Sequence, residues 1–180
     1  MNYTKQNDLL LDKLKVFYES NHYKELDRIL KILNGDSVIS LRILDWFVTN
    51  YAKKNYIVYT LTNGTRFKVY NDYKLKLKAY SKKRFDPFCR WEKITIPYKN
   101  NTLIQTTIGQ LNFFKWVLEN EIIEYIESEY TKIEQDMNLR NSTSKKKPLD
   151  HKTRKTRHEL SPSAIKNIQK EFIQIAVTFD

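Results

Sequence analysis

Phosphate contact and base stacking are the chemistry for which this chain carries the most side chains. Nucleic-acid backbones are held by Lys and Arg, and unpaired bases stack on aromatic faces. Residues 56–90 supply both types: Tyr59, Arg66, Lys68 and Tyr70, then Lys74, Lys78, Lys82, Lys83, Arg84 and Arg90. A second supply lies further on, in Lys145, Lys146 and Lys147 and then Lys152, Arg154, Lys155 and Arg157. These two clusters, separated by Pro-Leu-Asp-His, also have the form of a bipartite nuclear-localisation signal. That pattern is low in specificity, and a tail binding phosphate non-specifically explains it equally well. Against the stacking reading stands a plainer one, in which the aromatics are half-buried and pair with lysines by cation–π contact.

Catalytic constellations do not emerge. The sequence has no glycine-rich phosphate loop, no His-Glu-x-x-His and no nucleophile elbow. Cys89 lies beside Arg90, and a cation can lower a thiol's pKa. With no histidine near it in sequence, it reads as a small packed hydrophobe. Asp86, Glu92 and Lys93 superficially have the make-up of a nuclease carboxylate-carboxylate-lysine cluster. Such a site needs two acidic groups converging on a divalent metal, whereas adjacent Glu and Lys point to opposite faces of a strand. The three histidines, His22, His151 and His158, suggest no metal site. The expectation is a non-enzyme with no catalytic residues, no metal and no cofactor.

Composition sets the outer bounds. The chain has 180 residues, a net charge of +11 and 41% hydrophobic residues, which suits one ordinary domain with an appendage. No apolar run approaches the ~18–20 residues of a membrane span, and Asp8, Asp12 and Lys13 interrupt the N-terminal leucines, so neither a membrane partner nor a secretory signal is expected. A single cysteine excludes an internal disulfide and points to a reducing compartment. Lys, Asn, Ile and Tyr are abundant while Ala and Gly are scarce. A+T-rich coding produces that bias without any binding purpose, so the total charge carries little argument. Its distribution carries more. Residues 1–62 have a net charge of +2, 63–99 of +8, 100–138 of −5 and 139–180 of +6. Such blocks suit a polyanion-facing surface, or else an acidic helix that packs across the basic segment and neutralises it.

The elements that must position these residues follow from periodicity. Leu10, Leu14, Phe17 and Tyr18 lie on one helix face, as do Leu26, Ile29, Leu30 and Leu33, with Asn34-Gly35 as a stop. Ser40 precedes a third helix with Ile43, Leu44, Phe47 and Tyr51 inward. Asn63-Gly64 between β-rich runs predicts a hairpin over 56–70 with a two-residue turn. Opposed residue numbers then sum to 127. One face would carry Val58, Thr60, Phe67 and Val69, and the other Ile57, Tyr59 and Leu61 opposite Tyr70, Lys68 and Arg66. Residues 72–83 alternate as a strand would but are rich in helix formers, and they read rather as a helix with Tyr73, Leu77 and Tyr80 inward. Three lysines align either way, Lys74, Lys78 and Lys82 on a helix or Lys74, Lys76 and Lys78 on a strand. A strand is expected over 93–98. Thr106 or Thr107 then caps a long acidic helix to about Met137, bent at Asn120, whose carboxylates read as a solvated face. The stretch 139–160 reads as a basic disordered linker. A helix from Ser161-Pro162 and a C-terminal strand over 172–179 would dock beside the hairpin or the 93–98 strand.

Three strings carry a resemblance: residues 43–51 (ILDWFVTNY), 85–88 (FDPF) and 106–116 (TTIGQLNFFKW). Together they resemble a family of uncharacterised proteins found across nucleocytoplasmic large DNA viruses, over roughly residues 40–138 and the terminal strand. The resemblance brings no activity and no catalytic residues. It implies a setting, namely the cytoplasm or nucleus of an infected cell, or the virion.

The sequence therefore predicts an α+β protein: one domain over 1–138, mainly helical through residue 53, then the linker 139–160 and the docking segment 161–180. The expected function is sequence-tolerant nucleic-acid binding in viral replication, transcription or genome packaging, with other virion or transcription proteins as further partners. The alternative is a virion structural or assembly protein whose basic face contacts acidic protein surfaces. Sequence leaves the oligomeric state open.

Overall fold

A computed structural model describes residues 2–20, 22–99, 102–144 and 170–172. Apolar spacing produces the helical first third: α1 (Asn2–Glu19), α2 (Lys24–Asn34) and α3 (Leu41–Trp46). Leu14 and Tyr18 of α1 and Leu26, Ile29, Leu30 and Leu33 of α2 are buried. Gly35 ends α2 at φ 80°, a left-handed position that glycine fills without steric cost. The Ser40 hydroxyl caps α3 by accepting the Ile43 N–H at 3.2 Å. The chain then winds through a π-helical turn (Phe47–Tyr51) into the short α4 (Ala52–Lys54).

The hairpin forms, but one residue out of the expected register. Its strands are β1 (Val58–Thr60) and β2 (Arg66–Lys68), and the pairs are Val58 with Lys68, Tyr59 with Phe67 and Thr60 with Arg66. The connection is a three-residue loop, Thr62-Asn63-Gly64, with Gly64 at φ 81° and the Leu61 N–H bonded to the Thr65 carbonyl at 2.9 Å. A slip of one residue exchanges the faces. Tyr59 therefore turns inward with Phe67, while Arg66 and Lys68 stay outside.

α5 (Val69–Arg84) is the helix expected over 72–83, but it is broken at Ser81, where φ is 60° and ψ is 169°. The ridge Lys74-Lys78 does not run straight on to Lys82. A hairpin of β3 (Lys93–Pro97) and β4 (Thr102–Thr107) follows, β4 being a strand to which the periodicity assigned nothing. The last described strand, β5 (Lys170–Phe172), pairs antiparallel with β4, so the sheet order is β3-β4-β5. The terminal segment thus joins the sheet that contains 93–97, on β4 rather than on β3. The positions expected in the helix from Ser161 and in the strand beyond residue 172 lie outside the described residues, as does 145–160.

α6 (Ile108–Glu119) is the centre of the core and α7 (Ile122–Ser144) the long acidic helix. The Thr107 hydroxyl caps α6 by accepting the Gln110 N–H at 3.1 Å. The bend falls at Asn120, followed by Glu121 at φ 53°. Helical hydrogen bonding continues past Met137 to Ser144, so residues 139–144 are helix and not linker. α6 is buried almost all round, with Leu111, Phe113, Phe114, Trp116 and Val117 inside. Packed on it are α1, α5 and α7. The Tyr18 hydroxyl fastens α1 by donating to the Leu111 carbonyl at 2.7 Å. The architecture is α+β.

Candidate nucleic-acid interface

α6 also holds the segment that follows α5. Asn112 donates to the Arg84 carbonyl and Gln110 to the Pro87 carbonyl, each at 2.8 Å, and the Asp86 N–H donates to the Gly109 carbonyl at 3.2 Å. A β-carbon on Gly109 would stand 2.9 Å from the Lys83 carbonyl oxygen, so glycine is what allows this approach. Two of the strings noted in the sequence, 85–88 and 106–116, are therefore one packed unit. Asp45, in the third string, adds a negative charge that helps to raise the pKa of Tyr73 and Arg90 beside this unit.

Within that unit Asp86 is buried, 2% exposed, and its carboxylate accepts four hydrogen bonds. Arg90 donates two of them at 2.9 Å, Trp91 Nε1 a third at 3.2 Å and the Phe88 N–H a fourth at 3.2 Å. The bond to Asp86 chiefly, with the charges of Asp86 and Asp45 behind it, raises the Arg90 pKa further. Burial, together with the charges of Asp45 and Asp86, pushes the Tyr73 hydroxyl up to about 12. Burial also pushes up the Cys89 thiol despite nearby Lys93. Asp86 thus organises a loop, and Lys93 turns to Gln105 at 3.4 Å. Among the described residues, no group of three or more His, Cys, Asp or Glu is placed to hold a metal ion.

The residues assigned to phosphate and base contact divide into two sets. Tyr59 faces inward, where its hydroxyl donates to the Asn120 carbonyl at 2.7 Å and its ring stacks on Tyr125 at 4.8 Å; burial raises its pKa. Tyr70 is half-buried with Lys53 above its ring at 5.7 Å. Arg84 is tied to α1 through Asn7 at 2.8 Å and Gln6 at 3.2 Å, and Arg90 is held by Asp86. Lys83 sits over the Trp91 ring at 5.9 Å. These side chains are occupied by the fold, and the aromatic-cationic hairpin face expected from the sequence does not form.

Arg66, Lys68, Lys74, Lys78 and Lys82 are the other set, exposed and with no acidic partner among the described residues. Arg66 and Lys68 lie on the outer hairpin face, and Lys68 leads directly into α5. Asn71, Lys74, Leu75 and Lys78 follow at helical spacing as one exposed stripe, with Lys82 beyond the kink. Several cations elsewhere are neutralised, although Lys13, Lys24 and Lys31 are also exposed without an acidic partner among the described residues. Arg28 meets Glu124 at 2.6 Å, Lys54 meets Asp136 at 2.8 Å, and Lys99 pairs with Asp27. The acidic helix α7 is thus matched with α2 and α4, not laid across α5. Lys145, Lys146, Lys147, Lys152, Arg154, Lys155 and Arg157 lie outside the described residues.

One aromatic belongs beside this set that sequence reasoning passed over. Tyr56 is 86% exposed and stands at φ 48°, two positions before Val58, the partner of Lys68. The only sign of it in the sequence is a tyrosine directly after Lys53-Lys54-Asn55, which the hairpin assignment absorbed. Trp91, 39% exposed, is a second partly open ring.

A model described as a family of unknown function (DUF7197) matches residues 2–177. The chain belongs to that family. Its extent is wider than the 40–138 span carried by the three strings. The chain is also 45% identical, over 153 residues, to the "Uncharacterized protein L507" of Acanthamoeba polyphaga mimivirus, a giant virus. The alignment covers 81% of this chain and 59% of that relative, so the chain spans about three fifths of the relative's length. No solved structure matches. None of the helices described for this family member is long and apolar enough to cross a membrane.

Proposed function

We propose that this DUF7197 protein is a non-enzymatic, sequence-tolerant nucleic-acid-binding protein of a giant-virus infection, acting in replication, transcription or genome packaging in the host cytoplasm or nucleus or in the virion. The reading rests on one observation. Five exposed cations, Arg66, Lys68, Lys74, Lys78 and Lys82, share one run of hairpin and helix and have no acidic partner among the described residues. Phosphate is the partner that such a row fits, because displaced counterions make each contact favourable.

A salt titration of binding to duplex and single-stranded oligonucleotides is the test. With all five cations on phosphate, the log–log slope against salt is about −4.5 for duplex and about −3.5 for single strands. Affinity then falls several hundred-fold for duplex between about 50 and 200 mM salt. Replacing Lys74, Lys78 and Lys82 by Gln flattens the duplex slope by about 2.7. Absence of detectable binding at about 50 mM salt refutes the proposal.

A further inference from the structure

Tyr56 occupies a backbone position that disfavours it. The Ile57 N–H bonds to the Ala52 carbonyl at 3.2 Å, which closes the end of α4 with Asn55 as its C-cap. In that closure the residue after the C-cap adopts the left-handed conformation, and glycine is its usual occupant. Here it is a tyrosine at φ 48° whose ring is 86% exposed. The ring is too open to contribute much to the core, and the β-carbon makes the conformation costly. His22, Tyr23, Ser81 and Glu121 also have positive φ. Tyr56 differs from them in presenting a large, almost fully open aromatic ring, which is the observation that points to a site.

The surroundings indicate a ligand class. The Val69 N–H bonds to the Ile57 carbonyl at 3.3 Å, so Tyr56 lies next to the start of α5. Lys68 is the register partner of Val58, and Arg66 lies two residues along the same outer face. Along α5 the cations continue at Lys74 and Lys78, about 6 Å apart on the helix axis. An open ring beside a row of unpaired cations is the arrangement that binds single strands, where a base stacks and the backbone follows the charge. Paired bases inside a duplex offer no free face to such a ring.

We infer that Tyr56 is the stacking platform of a single-stranded nucleic-acid site, with Arg66 and Lys68 holding the phosphates beside the stacked base. The inference rests on the nucleic-acid reading and narrows it to unpaired strands. Fluorescence anisotropy with a labelled oligo-dT strand and a duplex of equal length tests it, using the full chain and the variants Tyr56→Gly, Tyr56→Phe and Tyr56→Trp. Tyr56→Gly weakens oligo-dT binding by roughly 5- to 150-fold, the range of one stacked base. It leaves duplex affinity and the salt slope in place, whereas Phe and Trp retain oligo-dT affinity. Tyr56→Gly also raises the melting temperature, because glycine relieves the left-handed strain, so a loss of binding cannot be ascribed to unfolding. Equal weakening of duplex and oligo-dT, or unchanged oligo-dT affinity in Tyr56→Gly, overturns the platform while leaving the broader reading standing. If the wild-type chain binds neither probe, both fall.

Discussion

Asp86 allows the division between structural and available cations to be tested. The perturbation is Asp86→Ala, which removes the acceptor of four hydrogen bonds from a side chain that is 2% exposed. The Phe88 N–H loses its partner inside the protein, at about 1–2 kcal/mol. Arg90 is half exposed and recovers water, so its ion pair counts only at the level of a surface pair, up to about 1 kcal/mol. The Trp91 bond adds a few tenths for the same reason. The total is about 1–3 kcal/mol, or roughly 3–12 °C in melting temperature for a chain of this length. Urea unfolding followed by circular dichroism measures the first figure and a thermal melt the second. Asp86→Asn keeps one acceptor oxygen and loses about half as much. Arg90→Gln lowers stability by about 1–3 kcal/mol, because the buried Asp86 carboxylate loses two charged donors, and leaves nucleic-acid affinity within about twofold, since Arg90 is held by the loop. Stability unchanged in Asp86→Ala refutes the loop's dependence on this carboxylate. A tenfold loss of affinity in Arg90→Gln without loss of stability would place that guanidinium on phosphate instead.

Gly109→Ala sets a methyl group 2.9 Å from the Lys83 carbonyl, a backbone atom that cannot swing aside. The urea midpoint falls by an amount equivalent to about 1–3 kcal/mol, and an unchanged midpoint means that the segment after the Ser81 kink yields freely. Alkaline titration reports the buried and half-buried phenols. Tyr73 and Tyr98 are pushed up to about 12, chiefly by burial, and burial raises Tyr18 and Tyr59 as well. The fold favours their neutral form, so this stabilisation is complete below about pH 10 and is lost as pH rises towards 12. Phenolate absorbance then increases in two phases, the later one together with loss of circular dichroism. A single phase near pH 10 for all tyrosines contradicts it.

Helices were legible because their signals were redundant. In α2 the apolar spacing, Asn34-Gly35 and the length all agree, and Ser40 and Thr107 cap where they stand in the sequence. The hairpin was legible only to within one residue. Asn63-Gly64 satisfies a two-residue turn, but it equally supplies the left-handed glycine of a three-residue loop. Amphipathicity separates the two, since only the observed register puts Tyr59, Leu61, Phe67 and Val69 on one side and Arg66 and Lys68 on the other. The site was less legible, for a different reason. Nothing local distinguishes Arg84 and Arg90 from Lys74 and Lys78; the difference is made by Asn7, Gln6 and Asp86 and by the way α6 folds the loop back. The kink at Ser81 and the left-handed conformation of Tyr56 carry no local signal either, because no glycine stands at these positive-φ positions.

Coding bias would explain the number of lysines, but not where the carboxylates are used. A fold built to neutralise itself would lay the acidic helix along α5. Instead Glu124 reaches Arg28 on α2, and Asp136 takes Lys54 on α4 and the indole N–H of Trp46. Burial tends to raise the Asp136 pKa, yet the bonds from Lys54 and Trp46 hold it below its ordinary value. The α5 sequence contains a single acid, Asp72, and this accepts the Trp116 indole N–H at 2.6 Å. It serves the core side of the helix, and the only charges on the exposed stripe are those of its lysines. At physiological salt a charge is felt over about 8 Å, so Lys74 and Lys78 reinforce one another along that stripe. Such a field repels itself until an anion lies on it, and that electrostatic cost, left in place beside a strained and open tyrosine, is the physical case for a polyanionic partner.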